Sequence, residues 1–133
     1  VTAVAPARVL VVEDDDHIAT ALDFLLTRDG LDHDRIADGG DALPRIRATR
    51  PDLVLLDVML PNASGYDICE GVRADPALAG VKILLMTARG SALERRRGLD
   101  LGADGFVTKP FDLTDLRREM RRLLDQTAKG SDG

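Results

Sequence analysis

Aromatic residues make up only 3% of the 133-residue chain, and tryptophan is absent. A packed core must therefore come from Leu, Val, Ile and Ala. The single cysteine, Cys69, excludes an intramolecular disulfide and suits a reducing cytoplasm. Set in an expected helix, it reads as a small buried hydrophobe and not as a reactive thiol. No apolar run approaches the roughly 18 residues that a membrane span needs. Residues 1–7, "VTAVAPA", lack the charged-then-apolar layout of a signal peptide, so the expectation is a cytoplasmic chain without a membrane segment. Excess positive charge is missing too. The net charge is −5 and the pI about 4.9, which argues against a nucleic-acid surface over the whole domain. The arginines at 95–97 and at 117, 118, 121 and 122 read as solvated helix faces. Two phosphate-binding loops are absent as well: no Gly-Lys pair exists for a G-x-x-x-x-G-K-[ST] loop, and no G-x-G-x-x-G occurs.

What is present is an alternation. Apolar residues are 44% and charged residues 31% of the chain, ordinary for a globular protein of one domain. Five apolar runs stand out: "RVLVVE" (8–13), the weaker "LDHDRIA" (31–37), "DLVLLD" (52–57), "VKILLMT" (81–87) and "GFVTK" (105–109). Segments with helical periodicity lie between them. Ile18, Ala21, Leu22, Leu25 and Leu26 form one face of a first helix, with Asp15 or Asp16 as N-cap and Gly30 past its end. Leu113, Leu116, Met120, Leu123 and Leu124 form the stripe of a last helix, capped by Asp112. With Asp41 as N-cap, Pro44 falls at the third position of the second helix, where its missing N–H costs nothing. Strand and helix alternate throughout, which predicts an α/β fold with a parallel sheet and helices on both faces. The expected boundaries are a short lead-in over 1–7, one domain over 8–126, and a flexible tail or the start of a linker over 127–133.

The buried-looking run "LVLLD" ends on a bare carboxylate, Asp57, and the first strand ends in Glu13, Asp14, Asp15 and Asp16. In open parallel sheets, ligands bind beyond the carboxyl ends of the strands, where the strand order reverses. If the first and third strands are neighbours there, Glu13, Asp14 and Asp57 share one pocket. Two carboxylates about 4–5 Å apart repel by about 3–4 kcal/mol at an effective dielectric near 20. Such a cluster needs a proton, a lysine or a divalent cation, and hard oxygen ligands on an open site suit magnesium. Solvated, helix-capping acids would explain Asp15 or Asp16, but not a lone Asp closing "LVLL". The fourth strand ends at Thr87, a hydroxyl that can donate to a phosphoryl oxygen. Lys109 lies beyond the fifth and is held extended by Pro110.

"VLVVEDDDHI", "LVLLDVMLPNASGYDIC", "LLMTAR" and "GADGFVTKPF" resemble, in order and spacing, the motifs of response-regulator receiver domains of two-component signalling, the CheY-like fold. The resemblance spans about residues 8–126. It implies a doubly wound (βα)5 sheet with strand order 2-1-3-4-5. It also implies a phosphorelay role in which Asp57 accepts a phosphoryl group from a sensor histidine kinase or phosphotransfer protein, giving an aspartyl phosphate. Glu13, Asp14, Asp57 and the backbone carbonyl of Met59 would hold Mg²⁺ (or Mn²⁺). Lys109, Thr87 and the backbone of Ala88 would take the phosphoryl oxygens, and the Lys109–Pro110 bond would be cis. Thr87 and Phe106 would form the switch, relaying phosphorylation to the surface of the fourth helix, fifth strand and fifth helix. Met59 and Arg89 would tune phosphate lifetime.

The expectation is a switch and not a turnover enzyme, since such a chain would catalyse only its own phosphorylation and dephosphorylation. A haloacid-dehalogenase-type phosphatase requires a second Asp two residues after the nucleophile, where Met59 stands. Two alternatives stay open: a docking receiver that is never phosphorylated, and the amino-terminal regulatory domain of a DNA-binding transcription factor. In the latter subfamily a homodimer forms through the fourth helix, fifth strand and fifth helix. Gly105 and Glu119 depart from its pattern, which favours a second acid and a base at those places. The downstream effector would be a further domain or protein, with no direct nucleic-acid contact by this domain.

Overall fold

The computed structural model describes residues 7–88 and 90–132, with residues 126–132 described by backbone alone. The elements alternate as the apolar runs require. Strand β1 (Arg8–Val12) leads to helix α1 (Asp16–Arg28), β2 (Asp32–Ile36) to α2 (Ala42–Thr49), and β3 (Leu53–Asp57) to α3 (Gly65–Arg73). They are followed by β4 (Lys82–Thr87), α4 (Ala92–Asp100), β5 (Gly105–Thr108) and α5 (Leu113–Asp132). The strands form one parallel sheet in the order β2-β1-β3-β4-β5. This is the expected doubly wound topology, and the order reverses between β1 and β3.

Alternate strand residues point to opposite faces, so the sheet carries two cores. Val9, Val11, Leu53, Leu55, Met86 and Val107 pack against α1 and α5 through Leu22, Leu26, Leu116 and Met120. Leu10, Val12, Val54, Leu56, Leu85 and Phe106 pack on the other side against Ile46 of α2 and Ile68, Cys69 and Val72 of α3. Edge strand β2 is paired on one side only, and of its residues only Ile36 is buried. That explains its weak apolar signal.

Local signals mostly hold. Asp15 is the N-cap of α1, accepting from the backbone N–H groups of His17 at 2.8 Å and Ile18 at 3.1 Å. Gly30 takes φ +72° just past the helix end. Asp112 accepts from the N–H of Thr114 at 2.7 Å at the start of α5. Asp41 occupies the N-cap position of α2 without a side-chain bond. Capping falls instead to Asp38, one turn earlier, on a 3-10 turn at Gly39–Asp41. Two positions of the expected apolar faces are corrected: Ala21 is exposed, with Ala19 buried in its place, and Leu113 is largely exposed in the first turn of α5.

Helix α4 differs from the rest, since its one buried residue is Gly98. A Cβ there would lie 2.6 Å from Leu85 Cδ1, so the helix lies with its backbone against the sheet. Leu93 is 78% exposed. No described helix is long and apolar enough to cross a membrane.

Candidate functional site

Parallel register builds the site. Val12 pairs with Leu56, so Glu13 and Asp57 are the next residues along adjacent strands. Glu13 continues the parity of Val9 and Val11, Asp57 that of Leu53 and Leu55, and Lys109 that of Val107. All three therefore project on the α1/α5 side of the sheet's carboxyl rim. One carboxylate oxygen each from Glu13, Asp14 and Asp57 lies within 4.8 Å of the others. Lys109 Nζ is 2.6 Å from Glu13 Oε1 and 3.4 Å from Asp57 Oδ1. Its backbone is pinned by its own N–H donating to the carbonyl of Thr87 at 2.7 Å.

Glu13 is fully buried and Asp57 nearly so, while Asp14 is exposed. Burial, with the neighbouring charge of Asp57, pushes the Glu13 carboxyl up to about 7, against the pull of the Lys109 hydrogen bond and the Asp15 N–H. Burial also works against the Lys109 ammonium. The hydrogen bond to Glu13 and the charges of Asp57 and Glu13 outweigh it and hold the lysine above its ordinary value. The cluster is thus an overcrowded set of acids balanced by one ammonium. Three hard oxygens this close, one of them open to water, form a donor set that can hold a divalent cation of the Mg²⁺ type.

The other expected residues are distributed as follows. Met59 is 62% exposed, and its backbone N–H donates to Asp57 Oδ1 at 3.3 Å. Thr87 is buried at the end of β4, and Ala88 beyond it is exposed. The parity of Ile83 and Leu85 turns Thr87 to the side that Phe106 also faces, away from Asp57. Phe106 is buried, with the Arg95 guanidinium 5.8 Å from its ring centre. The Lys109–Pro110 bond is cis. Arg89 lies outside the described residues. Cys69 is buried, and burial pushes its thiol up to about 11, as an inert core residue requires.

Three features escape a reading of the sequence. A Cβ at Gly65 would lie 2.5 Å from the carbonyl oxygen of Asp57, so α3 starts directly on the backbone of Asp57 and only glycine fits. The Pro-Asn-Ala-Ser-Gly turn was the available signal for it. Tyr66 donates its hydroxyl to Glu94 at 2.5 Å and lies under Arg97, 4.4 Å from the ring centre, which ties α3 to α4. Arg35 of β2 donates through Nε to the carbonyl of Glu13 at 2.9 Å and through Nη2 to Asp16 at 2.9 Å. Neither the Tyr66 nor the Arg35 contact leaves a mark in local sequence.

Comparison with known proteins bears on the family and the fold. A family model for the response regulator receiver domain matches residues 9–121. The chain is 43% identical over 126 residues to the DNA-binding response regulator MtrA of Mycolicibacterium smegmatis, covering 92% of this chain and 54% of that protein. It thus spans about half the length of the curated relatives it matches. Among solved structures, Vibrio cholerae chemotaxis protein CheY4 is similar with a TM-score of 0.83 and 29% identity, covering 90% of this chain and 99% of that one. The receiver domain of the Pseudomonas aeruginosa sensor histidine kinase PA1611 has a magnesium ion coordinated in its active-site cleft. It matches with a TM-score of 0.83 and 29% identity over 91% of this chain and 99% of that one.

Proposed function

Because the chain belongs to the response regulator receiver domain family, we propose that it is a phosphorylation-dependent switch whose phosphoacceptor is Asp57. The observation that carries this reading is the convergence of Glu13, Asp14, Asp57 and Lys109 at one rim of the sheet. An Asp57 carboxylate oxygen attacks the phosphorus of a phosphohistidine on a sensor histidine kinase or phosphotransfer protein. The P–N bond breaks, and an aspartyl phosphate forms. Glu13, Asp14, Asp57 and the Met59 carbonyl would hold Mg²⁺, which supplies charge neutralisation on the phosphoryl oxygens. Lys109 exchanges a carboxylate partner for a phosphoryl oxygen, the Thr87 hydroxyl is drawn inward from the Phe106 side to take another, and the Ala88 N–H takes the third. Positioning and electrostatics provide most of the catalysis, which acts only on the chain's own phosphorylation and hydrolysis.

Output runs through Thr87 and Phe106 to α4, β5 and α5. The apolar cleft beside Lys109, lined by Ile18, Ala21, Phe111 and Leu113, suits a partner's apolar side chains. The compartment in this reading is the cytoplasm. A second reading adds to the first: the match to about half of the DNA-binding response regulator MtrA favours an amino-terminal regulatory domain joined to an effector. A homodimer through α4, β5 and α5 belongs to that reading, although Glu119 is already paired with Arg122 within the chain at 3.0 Å.

Incubation with acetyl phosphate and Mg²⁺, followed by intact mass measurement, tests the proposal. We expect one added phosphoryl group on the wild type and none on Asp57→Asn. Steady release of inorganic phosphate from a substrate without a phosphoprotein would indicate an enzyme. No mass change in the wild type would leave a docking module.

A further inference from the structure

We propose that Arg35, on edge strand β2, is a positioning residue for the cation-binding loop: its guanidinium fixes the peptide unit from which Asp14 projects. The inference rests on reading the Glu13–Asp14–Asp57 cluster as a divalent-cation site.

The carbonyl of Glu13 and the N–H of Asp14 belong to one planar peptide unit. A donor on that carbonyl therefore restricts ψ of Glu13 and φ of Asp14 together, and with them the direction of the Asp14 carboxylate. Arg35 Nε supplies that donor at 2.9 Å. The same guanidinium reaches past Asp14 to the Asp16 carboxylate at 2.9 Å, on the first residue of α1. One rigid planar fork thus spans the loop on both sides of Asp14. Other contacts hold the neighbouring groups. The Glu13 N–H donates to the carbonyl of Ile36 at 3.0 Å, and Glu13 Oε2 accepts from the N–H of Asp15 at 3.2 Å. Asp14 is the exposed member of the cluster, so its aim depends on its backbone. β1 pairs Val11 with Arg35, which fixes the root of the arginine in the sheet.

Charge alone predicts the opposite sign. Removing a cation near several acids would strengthen their attraction for Mg²⁺, whereas loss of positioning would weaken it. Outer partners of metal-binding residues are typically worth about tenfold or more in affinity.

The test is Mg²⁺ titration calorimetry on the unphosphorylated chain at fixed ionic strength. Wild type is compared with Arg35→Met, which keeps the stem, and Arg35→Lys, which keeps the charge but cannot span both acceptors. We expect Kd to rise by about tenfold in Arg35→Met and by a smaller factor in Arg35→Lys. Without metal, the Asp15 amide should exchange faster in both variants. The maximal phosphorylation rate at saturating Mg²⁺ should stay near wild type, so that the loss appears in the Mg²⁺ requirement alone. Unchanged or tighter binding by Arg35→Met overturns the proposal, as does wild-type affinity in Arg35→Lys. Should Arg35→Met fail to fold, the charge-conserving variant decides. A wild type that binds no Mg²⁺ overturns the cation-site reading itself, and the inference with it.

Discussion

At position 59 an apolar side chain stands in the open, 62% exposed, two residues beyond Asp57, the proposed phosphoacceptor, and tied to it through its backbone N–H. A thioether orients water poorly, so a phosphoryl group on Asp57 should be shielded from attack. Met59→Asn supplies an amide that can hold a water in line. A hydrogen bond of about 1 kcal/mol corresponds to roughly fivefold in rate, and dephosphorylation should quicken on that scale. The decay of phosphorylated protein in intact mass measures it, and an unchanged half-life would refute the role. At this scale the acids were legible because a charge closing a four-residue apolar run is conspicuous, as Asp57 is after "LVLL". Arg35 was not, since its partner is a backbone carbonyl 22 residues away. The exchange of Ala21 for Ala19 reflects a helix whose apolar stripe is wide enough for two alanines to compete for its margin.

Among the elements, α1 and α5 were readable from their stripes, whereas "ALERRRGLD" of α4 has none and was placed by alternation alone. The structure gives the reason. Helix α4 meets the sheet through Gly98 and is fastened by polar and ring contacts: Tyr66 to Glu94, Arg97 over Tyr66, and Arg95 over Phe106. Burial first, then the Glu94 bond, pushes the Tyr66 phenol up to about 12, so it stays a donor. Tyr66→Phe removes only that donor. A hydrogen bond to a charged group contributes about 1.5–3 kcal/mol, so amide exchange in α4 should accelerate by roughly tenfold or more while α1 is little affected. Hydrogen-exchange mass spectrometry resolves the two helices. Equal protection of α4 in wild type and variant would show that the phenol does not hold it.

For the whole molecule, His33 is the informative titrating group. Its Nδ1 faces the carbonyl of Leu31 at 3.0 Å and its Nε2 the Asp23 carboxylate at 2.6 Å, so only the imidazolium satisfies both acceptors. Burial opposes that charge, but the Leu31 carbonyl and Asp23 prevail and raise the pKa above the ordinary 6.5. A raised folded-state pKa gives stability that is fully present below about 6.5 and is lost as pH rises through the folded value. The urea midpoint of wild type should therefore exceed that of His33→Gln most at pH 6, with the gap narrowing by pH 8.5. Glu13, also raised, pushes the same way, so the difference between the two chains is the measurement. A gap independent of pH would remove the ion pair from the account.

The two faces of the pleat also divide labour. Asp57 and Lys109 project toward α1 and α5, while Phe106 and the thinly anchored α4 lie across the sheet. The sheet therefore stands between the carboxylate cluster and α4: the outward surface of α4 can drift to suit a new listener without disturbing side chains on the α1/α5 face.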